Sequence, residues 1–399
     1  MTSFVSLNHH DSVAVITVDS PPVNALSQPV REGLKEAFSE AIEGAGEAGT
    51  RAIVLMCAGR TFIAGADISE FGKPPADPWL PEVLSAMEAS PIPVIAAIHG
   101  TALGGGLETA MACHYRAAVP SARLGLPEVL LGLLPGAGGT QWSPRLIGVE
   151  AALKLMTTGK PITAAEALEA GLIDRILEGD LLESALAYAH ELIESGAGPR
   201  RTSELPVESG HLPAGFFDGV RAAVAKKTRG LPAPQRIIDC VEAAATGDFE
   251  SGSALERKLF MELMMSPESA GLRHAFFSER KAAKIEGLPK DTPLRPIHSV
   301  GIIGAGTMGG GIAMNFANAG IPVTLLEISR EALDRGIAVC RKNYERSVKK
   351  GRFTAEQAEQ FMSRISGTTS YDDLAEADLV IEAVFENPEI KYTVFRQLD

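Results

Sequence analysis

The order of hydrophobic and polar positions in the first half of the chain alternates between strand-length apolar runs and stretches with helical spacing. Apolar side chains recur three and four positions apart at 24–42 and 80–89, and a further helix is predicted at about 107–113. The continuous apolar runs between these helices lie at 13–18, 52–56 and 94–98. Strands and helices that alternate through short loops predict an α/β domain with covered sheets.

Between positions 195 and 234 the periodic pattern gives way to glycine, proline, serine and arginine, which indicates a boundary. Helical spacing resumes from 237 to 284. Three prolines then interrupt 287–296, which we interpret as a linker because that stretch cannot be regular helix. The predicted segments are a first domain at 1–195, a helical segment that completes it at 196–284, a linker at 285–297 and a second domain at 298–399.

Composition narrows the classes of protein that fit this pattern. The net charge of −13 argues against nucleic acid as a partner. The longest apolar runs are far shorter than the roughly 20 residues that a bilayer requires, and the N-terminus lacks the profile of a secretory signal. The 4 cysteines have no paired spacing and are interpreted as reduced packing residues, and no metal site is predicted.

Small residues concentrate where two apolar strands of the first domain end, in the segments FIAGADI at 62–68 and HGTALGGGLE at 99–108. Glycine and alanine allow the backbone to approach a ligand closely, and three glycines directly before a helix leave free amides at its positive end. Two such amides that converge on one carbonyl oxygen would form an oxyanion hole, which stabilises an enolate.

Two glutamates accompany these segments. Glu108 lies two residues beyond Gly106 in the first turn of a predicted helix, where acidic residues are favoured by the helix dipole alone. Glu128 lies in a loop, where a solvated carboxylate is the simpler interpretation. Near an enolate-forming pocket, however, two carboxylates would provide paired proton transfer. Spacing alone does not show that these pieces meet in space.

Three motifs resemble those of the crotonase, or enoyl-CoA hydratase/isomerase, superfamily. They are AGAD at 64–67, HGTALGGGLE at 99–108, and PE at 127–128 followed by PGAGGTQ at 135–141. The resemblance extends in order over about 5–190. It implies the crotonase fold, a ββα spiral, with a coenzyme A thioester as substrate.

The resemblance also implies a role for each matching residue. The amides of Ala66 and Gly105 would hold the thioester oxygen, and Glu108 and Glu128 would be the acid/base pair of a hydratase. Residues implied to bind the acyl-CoA substrate are Ala64, Gly65, Asp67, Gly104 and Gly136. The presence of both glutamates favours hydration of trans-2-enoyl-CoA over the other chemistries of the superfamily, with Δ3-Δ2-enoyl-CoA isomerisation as a second activity.

Two alternatives stay open at this point: a crotonase-type enzyme that acts on another CoA thioester, and a non-catalytic module that binds acyl-CoA or NAD. Asp67 and His99 are interpreted as structural rather than catalytic, because the mechanism already has its acids and its donors. The basic residues Arg60, Lys281 and Lys284 would suit the CoA phosphates, although solvated surface charge is the favoured interpretation for each of them.

A second glycine cluster opens the second domain, where an apolar strand leads into GAGTMG at 304–309 and then a helix. In a dinucleotide-binding fold Gly304 makes the turn, Gly306 admits the pyrophosphate and Gly309 allows close helix–strand packing. Glu327, at the end of the next strand, would bind the ribose hydroxyls and favour NAD over NADP, a preference that nearby Arg330 moderates. Thr307 and Met308 complete the predicted site. The alternative is a glycine-rich turn that holds no nucleotide.

The strand at 378–384 and the segment after it resemble the cofactor domain of 3-hydroxyacyl-CoA dehydrogenases. By that similarity Glu386 and Lys391 lie near the nicotinamide. The family's catalytic histidine, glutamate and serine would fall beyond Asp399, so this partial Rossmann domain is expected to bind NAD at best, and its incomplete sheet puts stable folding in question.

The order of the domains resembles the multifunctional β-oxidation enzymes. The segments PPVNALS at 21–27 and SPESAGLRHAFFSER at 266–280 favour the bifunctional peroxisomal type over the bacterial trifunctional-complex subunit. We expect the chain to be the N-terminal part of a longer enzyme, cytoplasmic if bacterial and peroxisomal if eukaryotic.

Overall fold

A computed structural model describes residues 4–47, 49–73, 76–282, 284–285, 287–289 and 291–399. The chain divides into two compact units, Met1–Lys284 and Ile285–Asp399. The part of the chain that lies outside the described residues includes 1–3 of the predicted first domain, 283 of the helical segment, and 286 and 290 of the linker. No helix in the described part is long and apolar enough to cross a bilayer.

The first unit is built on parallel strands that are preceded by an antiparallel hairpin. Its strands are β1 (Val5–His10), β2 (Val13–Val18), β3 (Ala52–Cys57), β4 (Val94–Ile98), β5 (Thr101–Leu103), β6 (Tyr115–Ala118), β7 (Arg123–Gly125), β8 (Ile162–Thr163) and β9 (Arg175–Ile176). The main sheet has the order β1-β2-β3-β4-β6-β9, and the smaller sheet has the order β5-β7-β8. Only the pairs β1–β2 and β7–β8 are antiparallel among these described strands.

Helices cover the main sheet and continue to the end of the unit. They are α1 (Gln28–Glu47), α2 (Leu80–Glu88), α3 (Gly105–Ala112), α4 (Gly139–Thr158), α5 (Ala164–Glu169), α6 (Leu181–Glu194), α7 (Phe216–Thr228), α8 (Ala233–Thr246), α9 (Phe249–Met264) and α10 (Pro267–Ala282). Short 3₁₀ turns occur at Ile68–Glu70, Glu128–Leu131 and Thr202–Glu204.

Alternate residues of β2 enter different hydrophobic cores, because successive side chains of a strand point to opposite faces. Ala14 and Ile16 belong to the main core, whereas Val13 and Val15 pack in a second core with Tyr188 of α6. The main sheet is therefore covered on both faces, which confirms the predicted α/β domain with covered sheets.

The first helix begins later than the apolar spacing predicted, at Gln28 rather than at 24. Asn24 has a φ of +52° and its side-chain amide donates to the carbonyl of Thr61 at 2.9 Å. Leu26 then forms a parallel β-bridge with Ala66. Residues 24–27 thus belong to the loop that carries the AGAD motif and are unavailable to the helix.

The helical segment 196–284 belongs to the first compact unit and shares its main core. Ile237, Ile238 and Val241 of α8 are buried in the same cluster as Val149 of α4. Helix α7 falls in the stretch where no periodicity was predicted. It has no fully buried side chain among its described residues, which explains the weak signal.

The second unit has a parallel sheet with its own core. Its elements are β10 (Val300–Ile303), α11 (Thr307–Asn318), β11 (Val323–Leu326), α12 (Arg330–Lys349), α13 (Ala355–Met362), β12 (Ile365–Thr368), a 3₁₀ turn (Tyr371–Leu374), β13 (Leu379–Glu382) and α14 (Pro388–Leu398). The strand order is β12-β11-β10-β13, and each pair is parallel. Because chain order reverses on the two sides of β10, the carboxyl end of this strand is the expected position of a ligand.

Candidate active site

The motifs of the first unit converge on one cavity of about 440 Å³, which we call the site cavity. Two glutamates, the AGAD loop, the triple-glycine turn and the PGAG loop all contribute to its wall. The predicted site residues that line it are Ala64, Gly65, Ala66, Asp67, Gly104, Gly105, Glu108, Glu128 and Gly136. Residues widely separated in the chain therefore meet at one site, which spacing alone did not establish.

The amides of Ala66 and Gly105 lie on the same side of this cavity. Leu26 holds the first loop through the bridge to Ala66 and a 2.9 Å hydrogen bond from its amide to the carbonyl of Gly65. Gly105 is the first residue of α3, where the amide has no acceptor within the helix. A Cβ added to Gly105 would lie 3.3 Å from the Ala66 nitrogen, so the two amides are close neighbours.

Two glycines at the amino end of α3, its cap Gly104 and its second residue Gly106, are required by the close approach of other groups. Gly104 has a φ of +54°, and a Cβ there would lie 2.7 Å from Oε1 of Glu128. At Gly106 a Cβ would lie 2.1 Å from the carbonyl oxygen of Ile63. The first contact places the Glu128 carboxyl group against the glycine turn, and the second packs α3 closely against the loop that carries Ile63.

Glu108 is buried on α3, with 3% of its surface exposed. Its Oε1 accepts hydrogen bonds from the amides of Ala137 at 2.8 Å and Gly139 at 2.9 Å. Burial raises the pKa of Glu108 to about 7, and these two amides oppose the rise because they stabilise the charged form.

Glu128 begins the 3₁₀ turn that follows the short β7 strand. Its Oε2 is buried and has no hydrogen-bond partner among the described residues. Burial raises the pKa of Glu128 well above its usual value, and the negative charges of Glu108 and then Glu256 raise it further. The two site carboxyls thus differ: amides stabilise charge on Glu108, whereas the surroundings of Glu128 favour the proton.

Sequence reasoning missed the contribution of α9 to this site. Phe260, Met261 and Met264 line the site cavity together with Trp79. Glu256 lies behind it with 2% of its surface exposed, on the buried stripe that also includes Leu259 and Leu263. An acidic residue on the apolar face of a helix is a signal that could have been found in the sequence.

Other candidate residues of the first unit have structural contacts. Asp67 accepts a hydrogen bond from the amide of Ser69 at 2.9 Å and caps the 3₁₀ turn, while it also lines the site cavity. A ring nitrogen of His99 lies 3.1 Å from the carbonyl oxygen of Gly59.

The basic residues considered for the CoA phosphates, Arg60, Lys281 and Lys284, are exposed. They do not appear among the described residues that line the site cavity, whereas Lys73 and Arg257 do.

In the second unit, the candidate nucleotide residues lie at the carboxyl ends of β10, β11 and β13. A Cβ at Gly304 would lie 2.7 Å from the carbonyl of Ala383, and one at Gly309 would lie 1.8 Å from the carbonyl of Gly304. Around Gly306, by contrast, the space is open. Two glycines therefore close the turn, and the third leaves room for a ligand at the amino end of α11.

The remaining candidates surround this turn. Thr307 and Met308 are the exposed first residues of α11. Glu327 accepts a hydrogen bond from the amide of Ala305 at 2.8 Å.

Beyond β13, Lys391 lies 2.9 Å from Glu386 and 3.3 Å from Glu382. Glu386 and Lys391 are thus paired with each other near the end of that strand.

Each of the two units matches the model of a known protein family. The model described as enoyl-CoA hydratase/isomerase matches residues 8–202, and the model described as 3-hydroxyacyl-CoA dehydrogenase, NAD binding domain, matches 299–399. The chain therefore belongs to the enoyl-CoA hydratase/isomerase family in its first unit, joined to the NAD-binding domain of the 3-hydroxyacyl-CoA dehydrogenase family. The family resemblances predicted from the motifs are confirmed.

Whole-chain relatives carry both units in the same order. The peroxisomal bifunctional enzyme of Cavia porcellus is 39% identical over 409 residues, which cover 100% of this chain and 55% of the relative. The peroxisomal bifunctional enzyme of Homo sapiens is 37% identical, with 98% of this chain and 54% of the relative covered. The peroxisomal fatty acid beta-oxidation multifunctional protein of Oryza sativa is 38% identical, with 98% and 55% covered. The chain spans about half the length of these curated relatives.

A solved structure shows the same fold for the first unit. An enoyl-CoA hydratase/isomerase from Pseudoalteromonas atlantica aligns with a TM-score of 0.51 at 24% identity, covering 69% of this chain and 97% of its own. The crotonase fold predicted for this part is thereby confirmed.

Proposed function

We propose that the first unit hydrates trans-2-enoyl-CoA thioesters to 3-hydroxyacyl-CoA in fatty-acid β-oxidation. The observation that carries this proposal is the meeting of Glu108 and Glu128 with the Ala66 and Gly105 amides around one cavity. The apolar side chains Trp79, Phe260 and Met264 along the same wall suit an acyl chain.

The mechanism assigns a different proton task to each glutamate. The thioester oxygen accepts from the amides of Ala66 and Gly105, which stabilise the enolate that forms when water adds at C3. Glu108, ionised and held by two amides, takes a proton from that water. Glu128, whose surroundings favour the protonated form, gives its proton to C2. Return of a proton from Glu108 to Glu128 restores the starting state.

The same two groups support a second activity. A base that removes a proton at C4 and an acid that returns one at C2 would move a double bond from Δ3 to Δ2, with the same enolate stabilised by the oxyanion hole. Isomerisation of Δ3-enoyl-CoA is therefore part of the proposal.

For the second unit we propose binding of NAD, which supplies a hydride acceptor for 3-hydroxyacyl-CoA. Gly304, Gly306 and Gly309 would admit the pyrophosphate at the amino end of α11, where the space around Gly306 is open and the amides of Thr307 and Met308 would donate to it. Glu327 would hold the ribose, and Glu386 and Lys391 would lie near the nicotinamide. Like the relatives named peroxisomal, a eukaryotic form would work in peroxisomes.

The test is hydration of crotonyl-CoA by the full chain, followed as loss of the enone absorbance. We expect saturable turnover. Tight acyl-CoA binding without turnover would favour the non-catalytic module, and turnover of a different CoA thioester alone would favour another crotonase-type reaction.

The loss of hydration activity at acidic pH should have its midpoint at an unusually high pH. Burial raises the pKa of Glu108 to about 7, and only its ionised form accepts the proton of water. The kcat/KM for crotonyl-CoA should therefore fall as the pH drops through about 7, rather than near 4.5. A profile that is flat from pH 5 to 8 would contradict Glu108 as the base.

The choice between NAD and NADP tests the second unit. Glu327→Gln should weaken NAD binding and narrow the preference over NADP, because the neutral amide no longer repels a 2′-phosphate. Isothermal titration of both nucleotides to the full chain measures this, with Glu345→Gln on exposed α12 surface as the control. If the ratio of NAD affinity to NADP affinity is the same in Glu327→Gln and Glu345→Gln, Glu327 does not contribute to the nucleotide site.

A further inference from the structure

Four consecutive backbone amides at the start of α4 are held alternately by two buried carboxyl groups. Those of Ala137 and Gly139 donate to Glu108. Those of Gly138 and Thr140 donate to Glu256 at 2.7 and 3.0 Å. One side of this short segment is therefore fixed by a residue of the proposed site, and the other side by a residue of α9.

Glu256 belongs to a buried network of hydrogen bonds that extends beyond the two backbone amides. The hydroxyl of Thr140 also donates to it, and the side-chain amide of Gln141 donates to that hydroxyl at 3.0 Å and to the carbonyl of Cys240 at 3.1 Å. Gly252, one turn earlier on α9, permits this arrangement, because a Cβ there would lie 2.0 Å from Oε1 of Gln141.

We propose that Glu256 is a positioning residue of the hydration site, which holds the amino end of α4 so that the amides of Ala137 and Gly139 fix the carboxyl group of Glu108. This inference rests on the proposed hydratase function. Glu256 does not have to contact the substrate in this role, because it acts through the 137–140 segment that it holds.

Electrostatics give this position a second effect on the reaction. The titratable groups that face Glu256 are Glu108 on α3, Glu128 in the 3₁₀ turn and Cys240 on α8. Burial, and then the charge of Glu108, raise the pKa of Glu256 to about 8. Once ionised above that pH, Glu256 helps Glu128 to retain its proton. Removal of this charge should therefore move the alkaline limb of the hydration profile to lower pH.

The test is Glu256→Gln in the full chain, assayed with crotonyl-CoA beside Glu262→Gln, an exposed residue of the same helix. The glutamine amide would place a donor against a backbone donor at Gly138 or Thr140. We expect kcat to fall by about 10- to 100-fold with KM changed by less than about threefold, since small misplacements of a catalytic group cost this much. The alkaline limb should shift downward, and Glu262→Gln should match the wild type.

If thermal unfolding shows that Glu256→Gln is not folded, a second variant takes its place. Thr140→Val keeps the backbone amides but removes the hydroxyl that donates to Glu256 and accepts from Gln141, and it should lower kcat in the same direction by a smaller factor. A folded Glu256→Gln with the wild-type kcat and pH profile would overturn the proposal, as would Thr140→Val with wild-type values if Glu256→Gln is unfolded. A wild-type chain that hydrates no enoyl-CoA would instead overturn the proposed function, and this inference with it.

Discussion

Glu128→Gln should lower kcat for crotonyl-CoA hydration by about 10²–10⁴-fold, the usual contribution of a positioned acid or base. The surroundings of Glu128 favour its proton, because burial and the charge of Glu108 both raise its pKa. Glutamine keeps the shape of the side chain but has no proton to give to C2. Acyl-CoA binding should change little.

The measurement is steady-state hydration together with direct titration of a non-hydratable acyl-CoA. Glu150→Gln, on the exposed surface of α4, is the matched control and should behave as the wild type. A Glu128→Gln variant that retains wild-type kcat would remove this residue from the mechanism, whatever its effect on binding.

Gly105→Pro should lower kcat by about 10²–10³-fold relative to Gly105→Ala, the typical effect of losing one oxyanion donor. Gly105 is the first residue of α3, a position that tolerates proline because its amide has no partner within the helix. Both variants add a Cβ, which would lie 3.2 Å from Leu26 and Leu80 and 3.3 Å from the Ala66 nitrogen. Proline differs from alanine in lacking the N–H group, whose hydrogen is replaced by the ring carbon Cδ.

The comparison of the two Gly105 variants therefore controls for the added Cβ and tests the exchange of the N–H group for the proline ring. Thermal unfolding and acyl-CoA titration of each variant establish that the fold and the cavity persist. If both variants hydrate crotonyl-CoA at the same rate, the Gly105 amide does not hold the oxyanion.

The sequence predicted local structure well wherever one pattern dominated. Strands β2 and β4 have the predicted bounds, because their apolar runs are continuous and end at turn residues. The start of α1 was wrong because the contacts of Asn24 and Leu26 with a loop distant in the chain override helical spacing. Helix α7 was missed because it buries too little to show an apolar face.

The site was predictable to the extent that its residues lie within motifs. Family motifs predicted Glu108, Glu128 and the amides of Ala66 and Gly105 as site groups, and all four residues line one cavity. The contacts of Glu256 were not predicted, because its partners are the amides of Gly138 and Thr140, more than 100 positions earlier in the chain. Such a contact depends on the packing of α9 against α4, which no local pattern encodes.

The packing of α9 also bears on how members of this family should be compared. The hydratase/isomerase family model matches only as far as residue 202, whereas Phe260, Met261 and Met264 line the site cavity. A comparison limited to the matched residues therefore omits part of the wall of the site cavity. A shortened chain that ended at residue 202 would lack one side of the site cavity, together with Glu256 and its hydrogen bonds to the amides of Gly138 and Thr140.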